Sequence, residues 1–315
     1  MDKSGIQSRI RILAVVVLYR MTPSESASLK TLQATVSRIH PEEAEVAILL
    51  YDNTPGGQEG AVLPAKVRYI ADKENGGLPA AYNCAQTISN EEGFDWLLVL
   101  DQDSSLPVDF AHNLCRAVRL VSPISAVAAI APCVSEDGRV ISPGIPKWHW
   151  ITTKRLPKGF IGIPQEMIYA INSASAFRVS ALNDIGGFNS RFFADFSDFD
   201  MYHRLQCHGH RVFVAGNIRV EHELSVFDLR SRTSPSRYEK ILYAEEAFFD
   251  EYLGKMEGFV LLLRLLYRLA YKLCRSKVAS PYFRVGLRFL FRRLFYSRER
   301  RMKGWKGSAG QRSTS

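Results

Sequence analysis

Two rhythms of apolar residues alternate along the first two thirds of the chain. RILAVVVLY (11–19), EVAILLYDN (45–53) and DWLLVLDQDSS (95–105) carry near-continuous apolar runs, the signature of strands buried on both faces. KVRYIAD (66–72) and AVAAIAPCV (126–134) read as shorter strands of the same kind. Between them, SASLKTLQATVSRI (26–39) places Leu29, Leu32, Val36 and Ile39 on one helical stripe. LPAAYNCAQTISNEE (78–92) reads as a second helix, stopping near Gly93. This β-α-β-β-α-β order predicts an α/β domain around a mainly parallel sheet. Ligands of such sheets sit beyond the carboxyl ends of the strands. Three strands end there in polar residues: Asp52-Asn53, Asp72, and Asp101-Gln102-Asp103.

The later chain changes character. Residues 135–165 are rich in Gly, Pro and Trp and read as a long loop or hairpin excursion. A second block follows over 168–189, then FFADFSDFD (192–200), a helix to about Gln206, and the strand RVFVA (211–215). From Lys255 onward there are 16 Lys and Arg against two acids, +14, so the remainder carries 9 − 14 = −5. Arg264, Arg268, Lys272 and Arg275 recur on one helical face, with Leu262, Leu265, Leu266 and Leu269 on another. Pro281 breaks the pattern before Arg284, Arg288 and Arg292 resume it. Charges interrupt these runs too often for a membrane-spanning helix. Two basic amphipathic helices suit the surface of an anionic bilayer, and docking on the rest of the chain is the alternative. Nucleic-acid binding is disfavoured, because the apolar faces are large and no recognition module appears. The division expected is 1–250 for the α/β domain and 251–315 for the basic tail, with a disordered end. The opening apolar run is too short to span a bilayer. Five scattered cysteines without a C-x-x-C pair point to reduced thiols in a cytosolic protein.

Candidate chemistry sits at the strand ends. In LVLDQDSSLP, Asp101 and Asp103 suit Mg²⁺ or Mn²⁺, which take oxygen ligands from one or two carboxylates plus substrate phosphates. A polar strand end capping the next helix is the plain alternative. ENGGLPAAYN (74–83) breaks the strand pattern before a helix, where glycines and a helix N-terminus admit phosphate; an ordinary turn is equally compatible. In FFADFSDFD, a helix starting at Ser197 puts Asp198 and Asp200 in its first turn. Asp200 and Arg204 then pair at i, i+4. Asp198 lacks such a local partner, and a desolvated carboxylate can serve as a general base. CHGH (207–210) reads as turn residues rather than a metal site, and Trp148-His149-Trp150 as a hydrophobic clamp or an acceptor contact. The weight of His222 depends on whether it lies beside the DQD acids.

The order and spacing of these pieces resemble the family 2 glycosyltransferases, and more closely their bacterial rhamnosyltransferase-like branch. The resemblance rests on VVVLY, DN, NGG-x-x-x-A-x-N, DQDS, IGGF and F-x-x-D-x-x-D-x-D with Arg204 six residues past Asp198, over residues 10–240. It implies a GT-A fold, Rossmann-like, and a metal-dependent, inverting transfer from a nucleotide sugar. Tyr19, Asp52, Asn75, Gly76, Gly77, Asn83 and Asp101 would line the donor, with Asp52 on the base and Asn75, Gly76 and Gly77 along ribose and diphosphate. Asp103 and His222 would hold Mg²⁺ or Mn²⁺, and Asp198 would be the catalytic base. The implied donor is dTDP-L-rhamnose, and the implied acceptor a lipid-linked saccharide of a bacterial surface polysaccharide, at the cytoplasmic face of the membrane. Another nucleotide sugar, such as a UDP-linked hexose or galactofuranose, is the alternative donor; a degenerate nucleotide-sugar-binding scaffold is the alternative function. The chain departs from the family at Arg20, where Asn is usual, and at Ser173-Ala174, where Ser-Gly follows the strand of the second block. Asp195 receives no role from the spacing.

Overall fold

The structure, a computed structural model, describes residues 9–58, 63, 66–148, 150, 152–221, 234–274 and 281–309. His149 and His222 lie outside the described residues. Strands β1 (Ile10–Leu18), β2 (Ala44–Asp52), β3 (Val67–Ala71) and β4 (Trp96–Asp101) pair in parallel in the order β3-β2-β1-β4. Helices α1 (Ala27–Val36) and α2 (Gly77–Glu92) supply the crossovers. Ser26 caps α1 by accepting from the Leu29 N–H, and Gly93 ends α2 in the left-handed conformation.

Beyond β4 the sheet is mixed. Helix α3 (Phe110–Val121) leads to β5 (Val127–Glu136), and β6 (Arg139–Ser142) folds back on it. The Gly/Pro/Trp stretch is a hairpin excursion, as its composition suggests, with β7 (Gly144–Lys147) paired to β8 (Thr152–Arg155). After β9 (Ile161–Gly162) comes β10 (Ser175–Arg178), which inserts antiparallel between β4 and β5. Ser173-Ala174 therefore precedes the strand instead of following it. The reversed direction delivers these two residues to the carboxyl end of β4. Helices α4 (Val179–Asp184) and α5 (Ser197–Cys207) lead to β11 (Arg211–Glu221), parallel to β5.

Alternation along the strands builds one core on each side of the sheet. Ile12, Ala14, Val16 and Leu18 of β1 face α1 and α3, through Leu29, Leu32, Phe110 and Leu114. Leu13, Val15 and Val17 face the layer containing Ala81, Tyr82, Phe177, Met201 and Phe248.

The tail is not a separate appendage. Helix α6 (Pro235–Tyr252) crosses the boundary expected at 250/251 and contributes Phe248 and Phe249 to the main core. Helices α7 (Lys255–Cys274) and α8 (Pro281–Phe295) pack on it, and Arg298–Ala309 forms a further helix, α9; the last six residues, 310–315, where a disordered end is expected, lie outside the described residues. Part of the basic stripe is turned inward. Arg264 and Arg268 both pair with Glu245, Arg292 with Glu246, and Arg293 and Arg301 with Asp250. These three acids of α6 are buried. These arginines answer internal carboxylates, so they do not form the solvent face their periodicity suggested. A buried acid without them would carry a heavy desolvation cost.

Candidate active site

Register assembles the site. Leu18 lies opposite Asp52 and Val17 opposite Asp101, so Tyr19, Asp52 and Asp101 emerge side by side at one edge of the sheet. The DQDS turn is braced from beneath. Ser104 exchanges a hydrogen bond with Ser173 at 2.7 Å, and the Asp101 N–H donates to Ser173 Oγ at 3.2 Å. Ser26 Oγ donates to the Gln102 carbonyl, and Gln102 Oε1 accepts from the Tyr19 N–H at 2.8 Å. Asp101 is half-buried and Asp103 is exposed. Ser105 bridges Glu221 through backbone hydrogen bonds, so β11 ends against the DQDS turn.

Asp198 stands in the first turn of α5, where the helix dipole favours an acid. Its Oδ1 accepts from the Phe199 N–H at 2.8 Å. Burial still pushes its pKa up to about 7, with the negative charge of Asp101 adding to the rise. A part of the side chain stays accessible. No arginine or lysine pairs with it among the described residues. Tyr82, fully buried, lies within the field of both acids, and its hydroxyl donates to Asp101 Oδ1 at a long 3.5 Å. Burial holds the Tyr82 phenol far above its ordinary range, so it stays a donor.

The other two acids of FFADFSDFD have partners. Asp200, 1% exposed, accepts from Arg204 Nε at 2.8 Å, Tyr252 Oη at 2.6 Å and Asn189 Nδ2 at 2.9 Å. Arg204 continues to the Ile185 and Gly187 carbonyls. Asp195 binds Arg237 at 2.7 Å, which ties the segment to the start of α6. That long-range pair supplies the role its local spacing did not. Phe192 is buried, whereas Phe193 is 41% exposed. Trp150 closes the wall against Tyr169, Phe199 and Phe248, so it acts as a clamp; Trp148 is exposed. In CHGH, Gly209 turns with φ 85° and His210 pairs with Asp184, as turn residues would.

Several expected donor contacts are engaged within the protein. Asp52 is fully buried; Oδ1 accepts from the Thr54 N–H, and Oδ2 from Tyr69 Oη at 2.7 Å and Gln58 Nε2 at 3.0 Å. Half-buried Gln58 is the group this carboxylate presents outward. Asn83 gives both ends of its amide to the Phe188 backbone, at 2.8 and 2.7 Å. It anchors the IGGF turn. Gly77 has φ 79°, and a Cβ there would meet the Phe193 carbonyl oxygen at 2.5 Å. The close approach this glycine permits here is to Phe193. The Gly76 N–H donates to Asp72 Oδ2 at 2.7 Å, and Asn75 adopts a left-handed backbone, φ 56°.

Three other non-glycine residues at this edge share that conformation: Arg20 (φ 52°), Ala174 (φ 64°) and Phe196 (φ 62°). Such strain gathers at functional sites. Ala174 thus keeps the conformation a glycine would adopt, and the family departure leaves the backbone path intact. Sequence reasoning missed Ser173, Tyr82 and Asn172. The buried Asn172 amide has no partner on either polar atom among the described residues.

Among the described residues, no three His, Cys, Asp or Glu side chains converge into a metal-binding group. The donor set fits Mg²⁺ or Mn²⁺ held by one or two carboxylates, Asp103 with Asp101, and completed by phosphate oxygens.

No protein-family model matches the chain, and no curated protein matches it in sequence. Solved structures do match. GalNAc-T7 with UDP, GalNAc and Mn²⁺ is similar at TM-score 0.51 and 15% identity, covering 78% of this chain and 49% of that one. S. aureus TarS 1–349 is similar at TM-score 0.50 and 10% identity, covering 89% and 91%. The mannosyltransferase PcManGT from Pyrobaculum calidifontis, in complex with GDP-Man and Mn²⁺, is similar at TM-score 0.50 and 11% identity, covering 96% and 75%. The chain spans about half the length of GalNAc-T7. The class these likenesses define is one of fold: the chain has the GT-A fold of glycosyltransferases, with a helical C-terminal region.

Proposed function

We propose that this chain is an inverting glycosyltransferase that moves a sugar from a nucleotide sugar to an acceptor hydroxyl. The observation that carries the reading is Asp198: a carboxyl without a cationic partner among the described residues, its pKa raised to about 7, facing the strand-end acids. In this reading Asp198 takes the proton of the acceptor hydroxyl as that oxygen attacks the anomeric carbon from the face opposite the leaving group. A single carboxylate suffices for inversion. Asp103 and Asp101 would hold Mg²⁺ or Mn²⁺, which would supply positive charge to offset that of the departing diphosphate. Tyr82 fixes the Asp101 carboxylate, and Ser173 fixes its backbone. The wall of Trp150, Tyr169, Phe199 and Phe248 gives the start of α5 an apolar flank beside the base.

dTDP-L-rhamnose is the proposed donor and a lipid-linked saccharide the proposed acceptor, on the strength of the ordered motifs. The test is nucleoside diphosphate release from a panel of dTDP-, UDP- and GDP-sugars with Mn²⁺. Preferential turnover of dTDP-rhamnose supports the donor assignment, and preference for a UDP- or GDP-sugar replaces it. The internal engagement of Asp52 and Asn83 favours a second reading, a nucleotide-sugar-binding protein without turnover. Release of diphosphate from any donor excludes that reading.

A further inference from the structure

The tail helices have two faces of different kinds. Their inner faces converge on α6, through Leu265, Val285 and Phe289 against Tyr238 and Leu242, and through the arginine pairs. Their outer faces are apolar and exposed. On α7, Met256, Phe259, Leu263 and Tyr267 are 56, 53, 45 and 71% exposed. They recur at three and four residues and so form one stripe along the helix. On α8, Phe291 and Phe295 are 53 and 67% exposed. Both stripes look away from α6. Lys255 of α7 and Arg284 of α8 are exposed on the same helices. A contiguous apolar surface rimmed by charge marks a docking face. No helix among the described residues is long and apolar enough to cross a membrane.

We propose that this outer face of α7 and α8 is a monotopic anchor that lies in the interface of an anionic bilayer. The aromatic and aliphatic side chains enter the acyl boundary, and the flanking cations meet lipid phosphates. Charge selects the bilayer over a second copy of the chain. Residues 255–315 carry +14, of which three charges are offset by Glu245, Glu246 and Asp250; the remaining 14 − 3 = +11 makes two such faces repel each other, whereas an anionic surface attracts them. The binding elements differ from those the sequence suggested. Arg264 and Arg268 are half-buried and turned to Glu245, and insertion falls to apolar residues on the opposite face. The proposal stands independently of the transferase reading.

Flotation of the full chain with phosphatidylethanolamine/phosphatidylglycerol vesicles tests it. The chain should float with these vesicles, and only weakly with phosphatidylcholine alone. The triple variant Tyr267→Ser/Phe291→Ser/Phe295→Ser should lose at least about tenfold in partitioning, because each ring removed forfeits apolar transfer energy. Its melting temperature should hold, since all three side chains are exposed. A fold-neutral variant, Phe291→Trp, should gain emission that brominated lipid quenches. Undiminished flotation of the triple variant, failure of the unaltered chain to float, or an unquenched new tryptophan would each overturn the proposal. So would a dimer in solution that the triple substitution converts to monomer, because the occupant would then be a second copy.

Discussion

Replacing Asp198 by Asn should stabilise the protein at neutral and alkaline pH while removing its proposed base. The folded-state pKa of Asp198 is raised from 3.8 to about 7, chiefly by burial. The protonated form is therefore the one the fold prefers. The stability tied to it is fully present below the unfolded value, near 4, and is lost as pH rises through about 7. Three pKa units at ~1.4 kcal/mol each set a ceiling of ~4 kcal/mol. Partial solvent access reduces this to about 1–2 kcal/mol. For a chain of this length that corresponds to a melting-temperature difference of roughly 2–4 °C. Asn mimics the protonated carboxyl, so the two proteins should melt together near pH 4. They should diverge between pH 4 and 7, with the variant higher, and run parallel above pH 8. Differential scanning fluorimetry across that range reads the difference directly, because other titrating groups cancel. Superimposable curves at all pH values, or a variant less stable at pH 8, would refute a desolvated Asp198.

Other substitutions separate internal roles from ligand contacts. Asn83→Ala strips two hydrogen bonds from the Phe188 backbone and should cost about 2–3 kcal/mol by denaturant titration, with nucleoside diphosphate affinity unchanged; weakened affinity at unchanged stability would return Asn83 to the donor site. Gly77→Ala forces a Cβ onto the Phe193 carbonyl at φ 79° and should cost about 2–4 kcal/mol in the same titration. Asp250→Ala leaves Arg293 and Arg301 buried without their carboxylate; a loss of about 3–5 kcal/mol is expected, and a loss below 1 kcal/mol would mean the tail is not clamped through this acid.

What the sequence disclosed was local. Unbroken apolar runs marked β1, β2 and β4, because strands covered on both faces have no polar side. Gly93 marked the end of α2, and Asp200 with Arg204 was readable from a four-residue spacing. The pieces it hid are long-range. Asn83 and Phe188 are 105 residues apart, and Asp195 and Arg237 are 42 apart. Neither pairing leaves a periodic trace. Gly77 looked like a phosphate-loop glycine because sequence records the missing side chain, not what fills its place. The tail misled for a related reason. Periodicity grouped Arg264 and Arg268 on one face but could not say that Glu245 of α6 faced them, so a buried ionic seam looked like a solvated stripe. The antiparallel entry of β10, which carries Ser173 to Asp101, is a property of topology and was likewise invisible.

The central claim is that Asp198 performs the proton transfer without holding the donor. Its most direct test pairs two readings on Asp198→Asn with the preferred nucleotide sugar and Mn²⁺: donor affinity by calorimetry and nucleoside diphosphate release. The account predicts a dissociation constant within about twofold of the unaltered protein, since a base that touches only the acceptor contributes little to donor binding, together with loss of transfer. Continued turnover in this variant would contradict the assignment, and so would loss of donor binding along with it.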